Sequence, residues 1–317
     1  MHSTTKNTVS VAMMSCSRMA HFELALQLIE QQEYSGKLEL VVVADGPAAQ
    51  KTALPRMLRL RYGARLAIHE ADAAVRPPAF SLARRSRSAT ANASAVPSRV
   101  RLVLLPGLPY SVGHKRNIAA AVASGAVVVH WDDDDLYGPA RVRLQAQPIL
   151  AGEADLTFIE SSFLGMGGLT YRYTAAHRGG TFMGSMAYRR SLIKEHAFPD
   201  CSLGEDFDVA ERATRACRKT LVLQGVDSVY TRTNTSTSWI ANPATGMYDP
   251  AKPEPPAFAT PGLLRTYARV TGRAARAKFR CTPAHNHNAV GALEVQFFLR
   301  KQPSHCAAAT HLRREAA

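Results

Sequence analysis

The chain has 317 residues, 46% hydrophobic and 20% charged, which suits one large domain or two small ones around a buried core and excludes wholesale disorder. No run of about 18 apolar residues occurs, so no membrane-spanning helix is expected, and the polar stretch Met1 to Val9 lacks the apolar core of a cleaved export signal. The net charge of +14 arises in two segments, six arginines without an acid in 76–101 and ten Lys/Arg against two Glu in 262–317, so basic residues are not spread around a cleft as in a nucleic-acid enzyme.

Val9 to Met14 reads as a short buried strand, followed by the polar turn Ser15-Cys16-Ser17-Arg18. Phe22, Ala25, Leu26 and Ile29 then recur at helical spacing. Leu38 to Ala44 is a mostly apolar run that ends in the turn signal Asp45-Gly46. Strand, helix and strand in that order predict a buried parallel sheet. Residues 50–60 form a helix broken or started at Pro55, and Arg65 to His69 a further strand. Residues 71–99, rich in Ala, Ser, Arg and Pro without a period, read as a flexible basic insertion, with the sheet resuming at Arg101 to Leu105. A helix over Lys115 to Ser124 leads into the buried strand Ala126 to Trp131. Later strands are expected at Asp155 to Glu160, Thr181 to Tyr188, 220–223 and 227–231, with a helix from Leu203 to Cys217. The division expected is 1–240 as the main domain and 241–317 as a basic, partly helical extension, with its helix at 262–280. The five cysteines are odd in number and never spaced C-x-x-C, so reduced thiols in a cytosolic setting are the simpler expectation. His285 and His287 near Cys281 lack the spacing of a zinc finger and read as a surface loop.

Chemistry concentrates at Asp132-Asp133-Asp134-Asp135, where a buried strand leaves the sheet. Ligands gather at the carboxyl ends of strands in open α/β sheets. Adjacent carboxylates repel one another, and a hard cation such as Mg2+ or Mn2+, bound with phosphate and water, is their natural partner. The bland alternative is a solvated acidic turn. Ser202 and Glu205 have capping-box spacing at the start of the next acidic motif, Glu205-Asp206-Phe207-Asp208. The helix dipole there favours ionised carboxylates, and an ionised Asp206 can accept a proton from a hydroxyl. The pattern puts Phe207, Ala210 and Cys217 on the buried side and Asp206 toward a cleft. Lys115-Arg116 at a helix start suits a diphosphate, or is simply solvated charge. Asp45 is placed to bond a base or ribose edge, or is a turn residue.

The ordered set resembles the family-2 glycosyltransferases of the GT-A fold, over about Val9 to Trp239. The matching pieces are MMSCSR, VVVADG, GHKRNIAAAVASGAVVVHWDDDDLY with the WDDDD form of the D-x-D motif, GTFMGSMAYRRSLI and FPDCSLGEDFDVAER. The resemblance implies a mostly parallel sheet flanked by helices and an inverting, metal-assisted transfer of a hexosyltransferase type, from a nucleoside-diphosphate sugar, UDP first, to a hydroxyl. It implies Asp132 and Asp134 as the metal pair for Mn2+ or Mg2+, with Asp134 in direct contact, and Asp133 at the ribose or the metal's water shell. Asp206 would be the general base beside Glu205, which shapes the acceptor pocket. Ser15, Ser17, Arg18 and Asp45 would hold the nucleoside, with Arg116 near the nucleotide. Ala44 stands where the family usually shows an aspartate, and Thr233 where it often has histidine after arginine.

Those two departures motivate the alternative of a catalytically silent nucleotide-binding module. A third reading takes Arg265, Arg269, Arg273, Arg276 and Arg280 as one basic helical stripe near Leu264, Ala268 and Ala275. Such a stripe suits an anionic membrane surface or nucleic acid, although no nucleic-acid partner is expected beside a transferase. The stripe would make a cytoplasmic enzyme peripheral on a membrane and fit a saccharide or lipid-linked acceptor.

Overall fold

The structure is a computed structural model that describes residues 8–15, 18–46, 48–70, 96–107, 110–160, 163–166, 168–173, 181–232, 252–253, 261–276 and 312–315. The first half alternates strands and helices: β1 (Thr8–Ser15), α1 (Met19–Glu30), β2 (Lys37–Ala44), α2 (Ala48–Tyr62), β3 (Leu66–Glu70), β4 (Arg99–Leu104), α3 (Val112–Val122) and β5 (Val127–Asp132). There follow β6 (Leu136–Tyr137), α4 (Arg141–Leu150), β7 (Leu156–Glu160), β8 (Phe163–Met166), β9 (Leu169–Arg172), β10 (Thr181–Arg189), α5 (Leu192–Glu195), α6 (Glu205–Arg215), β11 (Thr220–Gln224), β12 (Ser228–Arg232), α7 (Pro261–Arg276) and β13 (Leu312–Glu315). The expected α/β architecture, a mostly parallel central sheet flanked by helices, is the one observed.

Nine strands form the main sheet in the order β13-β11-β7-β10-β5-β1-β2-β4-β3. Among the described strands of this sheet, only β10 runs antiparallel to its neighbours, β5 and β7. The central strands are mostly apolar because both faces are covered, and their buried exceptions are partnered: Ser10 donates to Glu39 Oε2 at 2.5 Å, and His130 Nε2 lies 3.2 Å from Tyr188 Oη. Val9, Val11 and Met13 of β1 point into a core with Phe22, Leu26 and Ile29 of α1 and Val142 and Ile149 of α4. Ala12 and Met14 point the other way, into a core with Ile118 and Val122 of α3 and Val209 and Ala213 of α6. Complete burial of each such Val, Leu, Ile or Phe contributes about 1.5–3 kcal/mol. A second sheet, ordered β6-β12-β8-β9, stands beside the first.

Register decides where chemistry can gather. Met14 opposes Asp132 across β1 and β5, and Ser15 opposes Ala44 across β1 and β2. The carboxyl ends of three adjacent parallel strands therefore bring Ser15, Asp45 and the aspartate run to one edge, where such sheets bind ligands.

Several expectations are corrected. The helix α4 was hidden from the sequence because its buried face carries Arg141 and Gln145, which interrupt the apolar period. Arg141 donates to the backbone oxygen of His130 at 2.5 Å and to Gln145 Oε1 at 3.0 Å, and its guanidinium lies over the Tyr137 and Trp131 rings. The helix α2 continues through Pro55 rather than breaking there. Of the expected insertion, 71–95 lie outside the described residues, and the sheet resumes at Arg99, not Arg101. The C-terminal helix α7 is docked: Tyr267 is buried in the main core, and any side chain at Gly165 of β8 would collide with it. Cys217 is exposed just past α6, not on its buried side, and is disulfide-bonded rather than a reduced thiol. His285, His287 and Cys281 lie outside the described residues, as do Arg280 and Thr233. Among the described residues, no helix is long and apolar enough to cross a membrane.

Candidate active site

The start of α3 is not a free anion site. The helix begins at Val112, three residues before the expected Lys115, and Ser111 caps it by accepting from His114 N at 3.0 Å. Val112 N donates to Ser202 Oγ at 3.2 Å, and Gly113 N to the Cys201 backbone oxygen at 2.9 Å. Gly113 has to be glycine, because a Cβ there would overlap the Pro199 backbone oxygen. The segment 199–202 thus takes the amides that a diphosphate would have used. Lys115 and Arg116 sit a full turn inside the helix, and both are buried.

Each reaches across to an acid. Lys115 Nζ lies 3.0 Å from Asp45 Oδ1, and Tyr110 N donates to Asp45 Oδ2 at 2.8 Å. Asp45 is buried, with both carboxylate oxygens engaged, so it ties the end of β2 to α3 and to the loop before it. Arg116 has three acidic neighbours. Its Nη2 is 3.8 Å from Asp132 Oδ1, and its Nη1 is 3.4 Å from Glu205 Oε1 and 3.6 Å from Asp206 Oδ2. Burial opposes the charge of Arg116, but Glu205, Asp206 and Asp132 outweigh it and raise its pKa.

The acidic run divides by role. Asp135 is buried and structural: Thr231 N donates to its Oδ1 at 2.8 Å, and Tyr137 Oη to its Oδ2 at 3.1 Å. Asp133 is buried beside Ser15, which hydrogen-bonds it. Desolvation pushes its pKa up to about 6 against the pull of Arg18. Arg18 forks, Nη2 to Asp133 and Nη1 to Asp134. Arg18, expected at the nucleoside, has its guanidinium against these two aspartates. Ser17 lies outside the described residues. Asp132 keeps a 30% exposed side chain, and desolvation with Asp134 and Asp206 nearby raises its pKa against Arg116.

At the other wall, α6 starts at Glu205. Its N-cap is Gly204 at φ +79°, a left-handed conformation that glycine adopts freely, and no side chain caps it. The expected capping box therefore does not form, since Ser202 serves α3 instead. Glu205 is buried against Arg116, and desolvation pushes its pKa up to about 7. Asp206 is partly exposed and accepts from Phe207 N at 2.7 Å. Asp208 pairs with Arg212 and lies apart from the cluster.

Among the described residues, no three His, Cys, Asp or Glu side chains are grouped to hold a metal by themselves. The partly exposed Asp132 and its neighbour Asp134 are hard oxygen donors. They fit a divalent cation that takes two carboxylates and completes its shell with substrate phosphate and water. Lys115 as partner of Asp45, and Arg116 as the link between the two acidic motifs, were not apparent from the sequence. The only signal was the GHKRN string itself.

No family model matches the chain, and no curated protein matches it. Solved structures to which it is similar include S. aureus TarS 1–349 in complex with UDP-GlcNAc, at TM-score 0.49 and 16% identity, covering 74% of this chain and 62% of that one. A second is the mannosyltransferase PcManGT from Pyrobaculum calidifontis in complex with GDP-Man and Mn2+, at TM-score 0.46 and 15% identity, covering 84% and 72%. A third is glucosyl-3-phosphoglycerate synthase from Mycobacterium tuberculosis with Mn2+, UDP and phosphoglyceric acid, at TM-score 0.44 and 16% identity, covering 69% and 68%. The chain spans 61% and 62% of the length of the two liganded TarS 1–349 chains.

Proposed function

We propose that the chain is an inverting glycosyltransferase of family 2 with the GT-A fold, moving a sugar from a nucleoside-diphosphate sugar, UDP first, to a hydroxyl acceptor. The observation that carries this is the Arg116 guanidinium, within 3.8 Å of Asp132 at the end of β5 and 3.6 Å of Asp206 at the start of α6. Carboxylates suited to two different tasks, holding a donor and taking a proton, are thereby gathered around one guanidinium. Asp132 and Asp134 would hold a Mn2+ or Mg2+ together with the donor diphosphate. When bound, such a cation neutralises charge on the departing diphosphate. Asp206 takes the proton of the acceptor hydroxyl at Oδ2, and Glu205 beside it shapes the acceptor pocket. Asp45, held by Lys115, sets the turn after β2 against which the nucleoside rests.

Calorimetry with UDP, GDP, dTDP and CDP, each with Mn2+ or chelator, tests the proposal. Metal-dependent binding of one of them is expected and names the donor class. A folded protein that binds none is not a nucleotide-sugar enzyme. Ala44, apolar and buried at the end of β2, favours the second reading of a silent domain, which would bind nucleotide but release no sugar from any donor. Arg265 and Arg269 are exposed on α7 while Tyr267 between them is buried, an orientation suited to an anionic membrane and a lipid-linked acceptor. Sedimentation with anionic vesicles at low salt is expected to carry the protein down. Protein left in the supernatant would remove the membrane partner.

A further inference from the structure

Arg18 occupies an unusual place. It is the N-cap of α1, a position where Ser, Thr, Asp or Asn is favoured, and its side chain caps nothing. The first turn of α1 holds no acid, so a cation at this end of the helix meets the positive end of the dipole. Neither helix formation nor the local electrostatics of α1 accounts for an arginine here. The aspartates do. One planar guanidinium spans Asp133 and Asp134, consecutive residues at the end of β5. Arginine suits such a fork, since its planar guanidinium holds separate N–H groups rigidly toward each carboxylate while an ammonium is a single point charge. Burial opposes the charge of Arg18, but Asp133, Asp134 and Asp132 together outweigh it and raise its pKa. The side chain is 31% exposed and sits on the chain leading into α1, so it can leave Asp134 without unpacking the core.

We propose that Arg18, anchored on Asp133, is a built-in counter-cation that competes with the divalent metal for Asp134, so that nucleoside diphosphate and metal bind together and the metal binds poorly alone. A donor diphosphate offers Arg18 a second anionic partner of matching geometry. Drawn to it, the guanidinium releases Asp134 to the cation, and the cleft never holds both positive charges against the same carboxylate without the diphosphate between them. Asp132, paired with Arg116 rather than Arg18, remains the second carboxylate throughout. The proposal rests on the end of β5 being a metal–diphosphate site, and it assigns Arg18 a role toward the metal instead of the nucleobase.

Titration with Mn2+, followed by loss of the free-ion magnetic resonance signal, tests it on the full chain without any activity assay. Wild type is expected to bind Mn2+ weakly alone and at least about tenfold more tightly with the nucleotide that calorimetry selects. Arg18→Gln is expected to bind Mn2+ alone at least about tenfold more tightly than wild type, and to gain less from nucleotide. Arg18→Lys keeps the charge but loses the fork, and its Mn2+ affinity should fall between the two. It also serves as the deciding variant should Arg18→Gln fail to fold. Equal Mn2+ affinities in wild type and variants would overturn the competition while leaving the metal site standing. If neither wild type nor variants bind Mn2+ with any nucleotide, the metal site and the competition fall together.

Discussion

Asp206→Asn is expected to lower sugar transfer about 10²–10⁴-fold, the usual contribution of a general base, with nucleotide affinity unchanged. The substitution is nearly isosteric. The asparagine carbonyl can still accept from Phe207 N, which now donates to Asp206 Oδ1 at 2.7 Å, so the first turn of α6 should hold. What is lost is the negative oxygen on the side of Arg116, and with it the proton acceptor. Glu205 cannot stand in for it. Its side chain is only 6% exposed and is held against Arg116, so an acceptor hydroxyl has little access to it. The Asp206 side chain is more exposed, at 15%. Rates of nucleoside-diphosphate release, measured on the donor found by calorimetry, provide the check. Full turnover by Asp206→Asn would move the base elsewhere.

The parts of this molecule that the sequence discloses are those whose cause is local. β1, β2 and β5 are legible because both faces of the sheet are covered, which favours a mostly apolar run that ends sharply at polar turns. Asp132 to Asp134 stand out as charge where a core strand stops, and Glu205-Asp206 as charge where a helix starts. The helix α4 is illegible because its fully buried positions hold an arginine and a glutamine that satisfy backbone carbonyls of β5, β7 and β10. No periodicity rule anticipates that, since the compensation lies in other strands. The cap of α6 fails for a related reason. Ser202 had two helices within reach, and only the tertiary structure assigns it to α3. Within the site the residue types were visible but their pairings were not. Arg18 meets residues more than a hundred positions away, and Arg116 meets acids from two later segments. Pairings of that range depend on sheet order and strand register, which the chain specifies only collectively.

Arg116→Met is the substitution expected to cost most stability, about 3–5 kcal/mol at pH 8, the usual cost of removing one partner from a buried charged group. Methionine fills much of the arginine's volume, and Phe198, over which the guanidinium now lies, can pack against it. The loss is therefore mainly electrostatic. Glu205, Asp206 and Asp132 would share a small volume, and among the described residues no other cation pairs with the first two. The sign of the pH dependence follows. The folded pKa of Glu205, about 7, lies above its ordinary value of 4.5, so the native state binds the extra proton. Its stabilising contribution is complete below about 4.5 and is lost as pH rises through about 7. Without Arg116 the folded pKa climbs further, so the deficit of Arg116→Met should shrink at pH 5 and widen at pH 8. Urea unfolding at the two pH values measures it. Adding Glu205→Gln to Arg116→Met should recover part of the loss at pH 8 and little at pH 5, because the amide removes the charge that the acid form already lacks. A deficit of equal size at both pH values would mean that packing, and not the bridge between the two acidic walls, is what Arg116 supplies.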